Sequence, residues 1–284
     1  MFPFNDSTIN FNSKYENTNE DGYTITVSGL KGGHSGADID KNVGNAINIL
    51  TEILLNLDDV KLNTLKGGNQ FNFIPNYATA TITASNFEKT ISQLIAKFKS
   101  EFSNIKIEFQ ETKITKVLTK DFSYNFLNLL NSIKTGVIVK NDNGGILLSQ
   151  NLSCVNLEEG LIKISNRAHS TKVEDEQILF LKTLAETNGF EYKIFDRQVG
   201  LTPSKNSKLT TQLCEINKQI NNEELEVTTK HISVEGAIFK QMKSNLDVVI
   251  VSPDIYDVHS TKERVYLPSV NKTYNLLENF LKVQ

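Results

Sequence analysis

Cysteine is nearly missing from this chain: Cys154 and Cys214 are the only two, far apart and in no metal-like spacing. That leaves no disulfide framework and no cysteine-held zinc, and it fits reduced thiols filling the interior of a cytosolic protein. No apolar run is long enough to span a bilayer, and Met1-Phe2-Pro3-Phe4-Asn5-Asp6 lacks the basic start and apolar middle of a signal peptide. A surplus of charge is missing too. The net charge of -3 and a pI near 5.9 give no electrostatic reason to expect nucleic acid or an anionic membrane surface. Tryptophan is absent while Asn, Lys and Ile are plentiful, a bias of an AT-rich genome rather than of a function. What is present is apolar content, 39% of 284 residues, enough to bury the cores of two domains.

Residues 1–20 are polar, rich in Asn and Ser and without a period, and they read as a tail. Tyr23-Thr24-Ile25-Thr26-Val27 then alternates strictly, as a half-buried strand does. Val43, Ala46, Ile47, Leu50, Ile53, Leu54 and Leu57 recur at helical spacing. Further helices are predicted over Phe87–Phe98, Phe122–Ile133 and a segment carrying Val173, Leu181 and Leu184. Strands are predicted over Tyr77–Thr83, Ile105–Phe109, 147–157, 160–167 and Glu191–Phe195, with a tight turn at Glu158-Glu159-Gly160. Hairpin-paired strands whose helices cover one face imply an α+β domain with an antiparallel sheet over residues 21–197.

From residue 198 the pattern changes. Leu246-Asp247-Val248-Val249-Ile250-Val251 is nearly continuous in apolar residues, as in a strand buried on both sides of a parallel sheet. Around it lie predicted helices over Leu209–Ile220 and Val234–Met242 and a strand over Leu225–Thr229. A last helix is predicted from Pro268, with Val270, Tyr274, Leu277 and Leu281 on one stripe. Residues 198–284 read as a fragment of an open α/β sheet, because such a domain usually needs about 100–150 residues.

Two histidine-centred loops stand out. His34 sits in Gly29-Leu30-Lys31-Gly32-Gly33-His34-Ser35-Gly36, where the glycines allow either a tight turn or the close approach of a ligand. An imidazole there can donate to a developing oxyanion. His259 follows the apolar strand in Asp257-Val258-His259-Ser260-Thr261-Lys262-Glu263, at the strand end where ligands of α/β sheets gather. The same segment is also a capping box, Ser260 with Glu263, in which the histidine is incidental. Arg167 leaves its strand on the side opposite Ile162 and Ile164. It is either a carboxylate clamp or a solvated strand residue. His231 and Glu235 occupy a loop between a strand and a short helix, suited to a site or to solvent. Asn72-Phe73-Ile74-Pro75 reads locally as a strand entry.

Together these segments resemble the zinc exopeptidases of the carboxypeptidase G/aminoacylase type, and within them the aminoacyl-histidine (Xaa-His), or cytosol nonspecific, dipeptidases. The carrying residues are Gly29–Gly36 with Asn45-Ala46, Asn72–Pro75, Arg167, His231–Gly236 and His259–Val265, in the family's order and at similar spacing from about residue 21 to the end. The resemblance implies a lid domain that also dimerises, inserted in a catalytic domain that binds two zinc ions. By that resemblance His259 is a zinc ligand, and His34 is the lid histidine that stabilises the tetrahedral intermediate. Asn72 and Arg167 orient the substrate and hold its terminal carboxylate, Glu235 lies near its amino end, and His231 is a further substrate-binding residue. The stretch His231-Ile232-Ser233-Val234-Glu235-Gly236-Ala237 keeps the family's His and Glu but loses both of its glycine positions.

The family's His-x-Asp motif, bridging aspartate, Glu-Glu pair and further acidic ligand have no counterpart here. A catalytic zinc takes about three protein ligands and a general base in reach of the reacting water, so the zinc site is incomplete. The expectation is therefore a tail (1–20), a lid (21–197) and a C-terminal catalytic segment (198–284) of a cytoplasmic, homodimeric dipeptidase. Such a chain would be inactive without a separate N-terminal catalytic half. The competing expectation is a non-catalytic dimerisation or binding module.

Overall fold

The computed structural model describes residues 3–198, 200–201, 206–228, 235–258 and 262–283. It divides into two compact units, Asn5–Arg197 and the residues from Gln198 onward. In chain order the first runs β1 (Phe4–Asn10), β2 (Tyr15–Ser28), β3 (Gly33–His34), α1 (Ala46–Leu55), β4 (Asp58–Gly68), β5 (Phe73–Ile74), β6 (Ala78–Ser85) and α2 (Phe87–Glu101). It continues with β7 (Lys106–Leu118), α3 (Lys120–Ser132), β8 (Gly136–Lys140), β9 (Ile146–Asn156), β10 (Leu161–Ala168), α4 (Thr171–Thr187) and β11 (Glu191–Gln198).

Nine strands form one sheet in the order β11-β1-β10-β9-β4-β6-β2-β7, with β8 beside β9. Every ladder whose register is described is antiparallel. Alternation builds the middle of it: Ile25 and Val27 are fully buried, while Thr24 and Thr26 meet the Thr81 and Thr79 hydroxyls of β6 at 3.1 and 3.3 Å. Asn45 caps α1, its side-chain oxygen accepting from the N–H groups of Ile47 and Asn48 at 2.9 and 3.3 Å. Leu50 and Leu54 of α1, Ile91 of α2, Phe126 of α3 and Leu181 of α4 enter one core against the sheet. This is the expected α+β architecture with an antiparallel sheet.

The first 20 residues are not a tail. They contain β1 and the start of β2, and they escape a hydrophobic reading because the buried side of β1 carries Asn5 and Ser7 beside Ile9. Asn5 is satisfied from far away: its amide donates to Glu174 at 3.4 Å and its oxygen accepts from Asn166 at 3.3 Å. Strand β4 was hidden for another reason. Its pairing with β6 shifts register between Asp58 and Lys61 and again between Leu62 and Thr64, which breaks the two-residue period.

The second unit holds α5 (Lys208–Asn221), α6 (Gly236–Met242), a short antiparallel pair β12 (Ile255–Tyr256) and β13 (Arg264–Val265), and α7 (Leu267–Lys282). Two predicted strands do not form. Residues 225–228 and 246–251 are irregular, and neither joins a ladder among the described residues. Apolar packing anchors the second of these. Val248 and Ile250 lie close to Gly236, and Val249 and Val251 pack on the cluster of Leu213, Ile216 and Leu276. The stripe predicted on α7 also turns outward: Tyr274 and Leu281 are 64% and 70% exposed, whereas Leu276 is the apolar side chain it buries. Among the described residues no helix is long and apolar enough to cross a membrane.

Candidate functional site

The glycine-rich loop after β2 is pressed against its own chain. Gly29 has φ +78°, and a Cβ there would stand 2.2 Å from the Asn104 carbonyl oxygen; at Gly32, φ +64°, it would meet the Phe73 ring at 2.6 Å. These glycines serve close approach of the loop to the chain beneath it. The loop then pairs as β3 with β5, placing Gly33 opposite Ile74 and His34 opposite Phe73, and the Ser35 N–H donates to the Asn72 carbonyl at 2.9 Å. From below, the Asn151 amide donates to the Phe73 carbonyl and the Ser153 hydroxyl to the Phe71 carbonyl, each at 2.8 Å.

His34 is buried, and its ring is fixed by its own loop. Its Nδ1 accepts from the N–H groups of Gly36 and Ala37 at 2.9 and 3.0 Å. A nitrogen that accepts two N–H donors carries no proton, so the neutral ring has its N–H at Nε2. The backbone N–H of His34 donates to Asp38 Oδ2 at 2.8 Å. Burial disfavours the Asp38 charge, but the Lys41 ammonium and this N–H outweigh it and hold the carboxyl below its ordinary value.

Arg167 projects from β10 on the side opposite Ile162 and Ile164 and is only 6% exposed, so it is no solvated strand residue. Its Nη1 donates to the Ser35 hydroxyl at 2.9 Å, which ties the guanidinium to the His34 loop. Burial pulls its pKa down to about 10, against the opposing influence of Asp6, and it stays charged at neutral pH. Asp6 faces it from β1. Burial pushes that carboxyl up to about 6 and the Asp196 charge adds to the rise, while the Ser165 hydroxyl and Arg167 oppose it.

The structure thus brings His34, Asn72 and Arg167 together in the first unit, and Asn72 is half-buried there. Glu235 belongs to the second unit, where it is exposed at the start of α6. His231 and His259 lie outside the described residues. Among the described residues no three His, Cys, Asp or Glu side chains converge to hold a metal. Pattern reading passed over Ser35, Asn151 and Asp6. Ser35 stood inside the glycine string itself; the other two left no local signal.

A buried histidine and a buried arginine thus share a strand-and-loop face of an antiparallel α+β sheet. Residues 15–110 match the peptidase dimerisation domain of the M20 family, and the resemblance to M20 dipeptidases carried by the motifs is borne out. The chain is 27% identical over 280 residues to the cytosol non-specific dipeptidase of Escherichia coli (strain K12), with 92% of this chain and 57% of that protein covered. It is also similar to the crystal structure of an aminoacylhistidine dipeptidase from Vibrio alginolyticus. There the TM-score is 0.81 at 22% identity, over 99% of this chain and 61% of that one. The chain therefore spans about three fifths of the length of these relatives.

Proposed function

We propose that this chain supplies the lid and the C-terminal catalytic segment of a cytosolic, zinc-dependent dipeptidase of the aminoacyl-histidine type. The observation that carries the reading is the His34–Ser35–Arg167 arrangement. It presents an Nε2–H donor suited to an oxyanion and, one residue away along the loop, a buried guanidinium suited to a carboxylate. Asn72 would orient the substrate between them, Glu235 would lie toward its amino end, and His231 would be a further substrate-binding residue. The described residues do not fit a metal by themselves. His259 is the ligand that the resemblance offers, and the remaining ligands and the general base would come from a complementary segment. Support for an unfinished second unit comes from its apolar segment 246–251, which joins no ladder among the described residues, and from the outward stripe of α7.

The test is reconstitution. Mixing this chain with a polypeptide that carries the metal-holding half of such a peptidase, together with zinc, is expected to restore dipeptide hydrolysis. In that mixture Arg167→Ala should act mainly on KM, raising it about 10–100-fold, the worth of a hydrogen-bonded charge pair. Steady-state kinetics indifferent to Arg167 would remove its assigned role. A mixture that stays inactive while the chain still self-associates would favour the non-catalytic dimerisation module.

Self-association is its own expected outcome. The dimerisation-domain match runs from β2 to the start of β7, and β7 lies at the edge of the sheet. The isolated chain should scatter light as a dimer at micromolar concentration; a stable monomer would count against the lid assignment.

A further inference from the structure

We propose that Asp6 is a positioning residue for Arg167 that exchanges its own negative charge for that of the substrate. It serves as the guanidinium's counter-charge in the free site and takes up one proton when a substrate carboxylate arrives. The inference rests on the reading of Arg167 as the holder of that carboxylate. Its basis is a cluster on one side of the sheet. Ser165 and Arg167 stand two residues apart on β10, so their side chains share a face, and β1 is the neighbouring strand in the sheet. The groups facing Asp6 are Ser165 and Arg167 from β10 and Asp196 from β11. Arg167 is almost fully enclosed, and Asp6 Oδ1 is buried with no hydrogen-bond partner among the described residues.

The charges then decide the chemistry. With Asp6 ionised, the buried Arg167 cation already has a counter-charge. A substrate carboxylate would bring a second anion to it, in surroundings where water screens them poorly. The least costly relief is a proton from solvent on Asp6, whose carboxyl is already pushed up to about 6. The step is one proton transfer: an O–H bond forms at Oδ1 and one breaks in the hydronium or buffer acid that supplies the proton. That oxygen, an unsatisfied acceptor before, becomes an O–H that can donate to the incoming carboxylate.

The sign follows. Below about pH 6 Asp6 is already protonated and binding takes up little; above it, each binding event must draw a proton, so affinity falls as pH rises. The experiment is calorimetric titration of the full chain with glycylglycine, and with glycylglycinamide as the control lacking the carboxylate. Measurements run from pH 5 to 7.5 in buffers of different ionisation enthalpy. Expected for the unaltered chain is close to one proton taken up per glycylglycine at pH 7, and a Kd that rises up to about tenfold per pH unit above 6. Asp6→Asn should abolish both effects and bind glycylglycine more tightly than the unaltered chain at pH 7.5. Equal pH dependence in Asp6→Asn, or no proton uptake in the unaltered chain, overturns the proposal while leaving the role of Arg167 standing. Failure to bind glycylglycine, or equal affinity for it and its amide, overturns the Arg167 reading and the inference with it. A second measurement is independent of ligand: the Asp6 carboxyl followed by carbon NMR should titrate at higher pH in Arg167→Gln, and an unmoved midpoint overturns the coupling.

Discussion

Replacing His34 by alanine in the reconstituted enzyme is expected to lower kcat on the order of 10²–10³-fold while leaving KM nearly unchanged. The reason is geometric. Two loop N–H groups occupy Nδ1, so the ring's own proton is at Nε2 and cannot be lost to the other nitrogen without breaking both contacts. A donor held this way is ready before the reaction begins, and in the proposed role it would strengthen only as negative charge develops on the substrate oxygen. An interaction made mainly in the transition state appears in kcat. His34→Gln retains a side-chain N–H donor but loses the imidazole that caps Gly36 and Ala37, so it should recover only part of the rate. A kcat unaffected by His34→Ala would remove the oxyanion role and return the loop to a purely structural turn.

Arg197→Ala is expected to destabilise the first unit by about 2–4 kcal/mol, less than the full cost of orphaning a buried charge because Arg197 is itself partly exposed. Its Nε and Nη2 donate to Glu174 Oε2 at 3.1 and 2.9 Å, and Nη2 also reaches Asp175 at 2.6 Å. Glu174 is only 2% exposed. Its other oxygen has the Asn5 amide at 3.4 Å, so removal of the guanidinium leaves a buried carboxylate with one long hydrogen bond. The hydrogen bonds from Arg197 to Glu174 and Asp175 also hold the guanidinium pKa above its ordinary value. Urea unfolding followed by circular dichroism measures the loss, and Glu174→Gln in the same background should restore part of it. A loss below about 0.5 kcal/mol would mean that Glu174 finds water when its partner leaves.

What could be read from pattern was whatever kept its period. Alternation through Tyr23–Val27 and helical spacing through Ala46–Leu54 announced β2 and α1. The turn at Glu158-Glu159-Gly160 announced its hairpin: Gly160 has φ +63°, and a Cβ there would lie 1.9 Å from the Phe11 carbonyl oxygen. Parity along Ile162–Arg167 put Arg167 on the correct face. Its burial was illegible, because what encloses it includes Ser35, more than a hundred residues away. Bulges erased the period of β4, and a polar inner side disguised β1. The apolar run at 246–251 announced a strand in full, yet a strand also needs edges to pair with, and a run of residues says nothing of its neighbours.

Strand β1 lies between β10 and β11, and its Asn5 bonds to Asn166 and Glu174, 161 and 169 positions downstream. Such closure is slow to form and impossible before the later strands exist. During synthesis at about 5–20 residues per second, the first strand would therefore wait roughly 10–30 s for its slot to be made. An apolar strand left waiting that long would pair with whatever it met. Asn5, Asp6, Ser7 and Thr8 make this one tolerable to water in the meantime, so the polarity that disguises β1 as a tail is also what lets the nascent chain hold it in reserve.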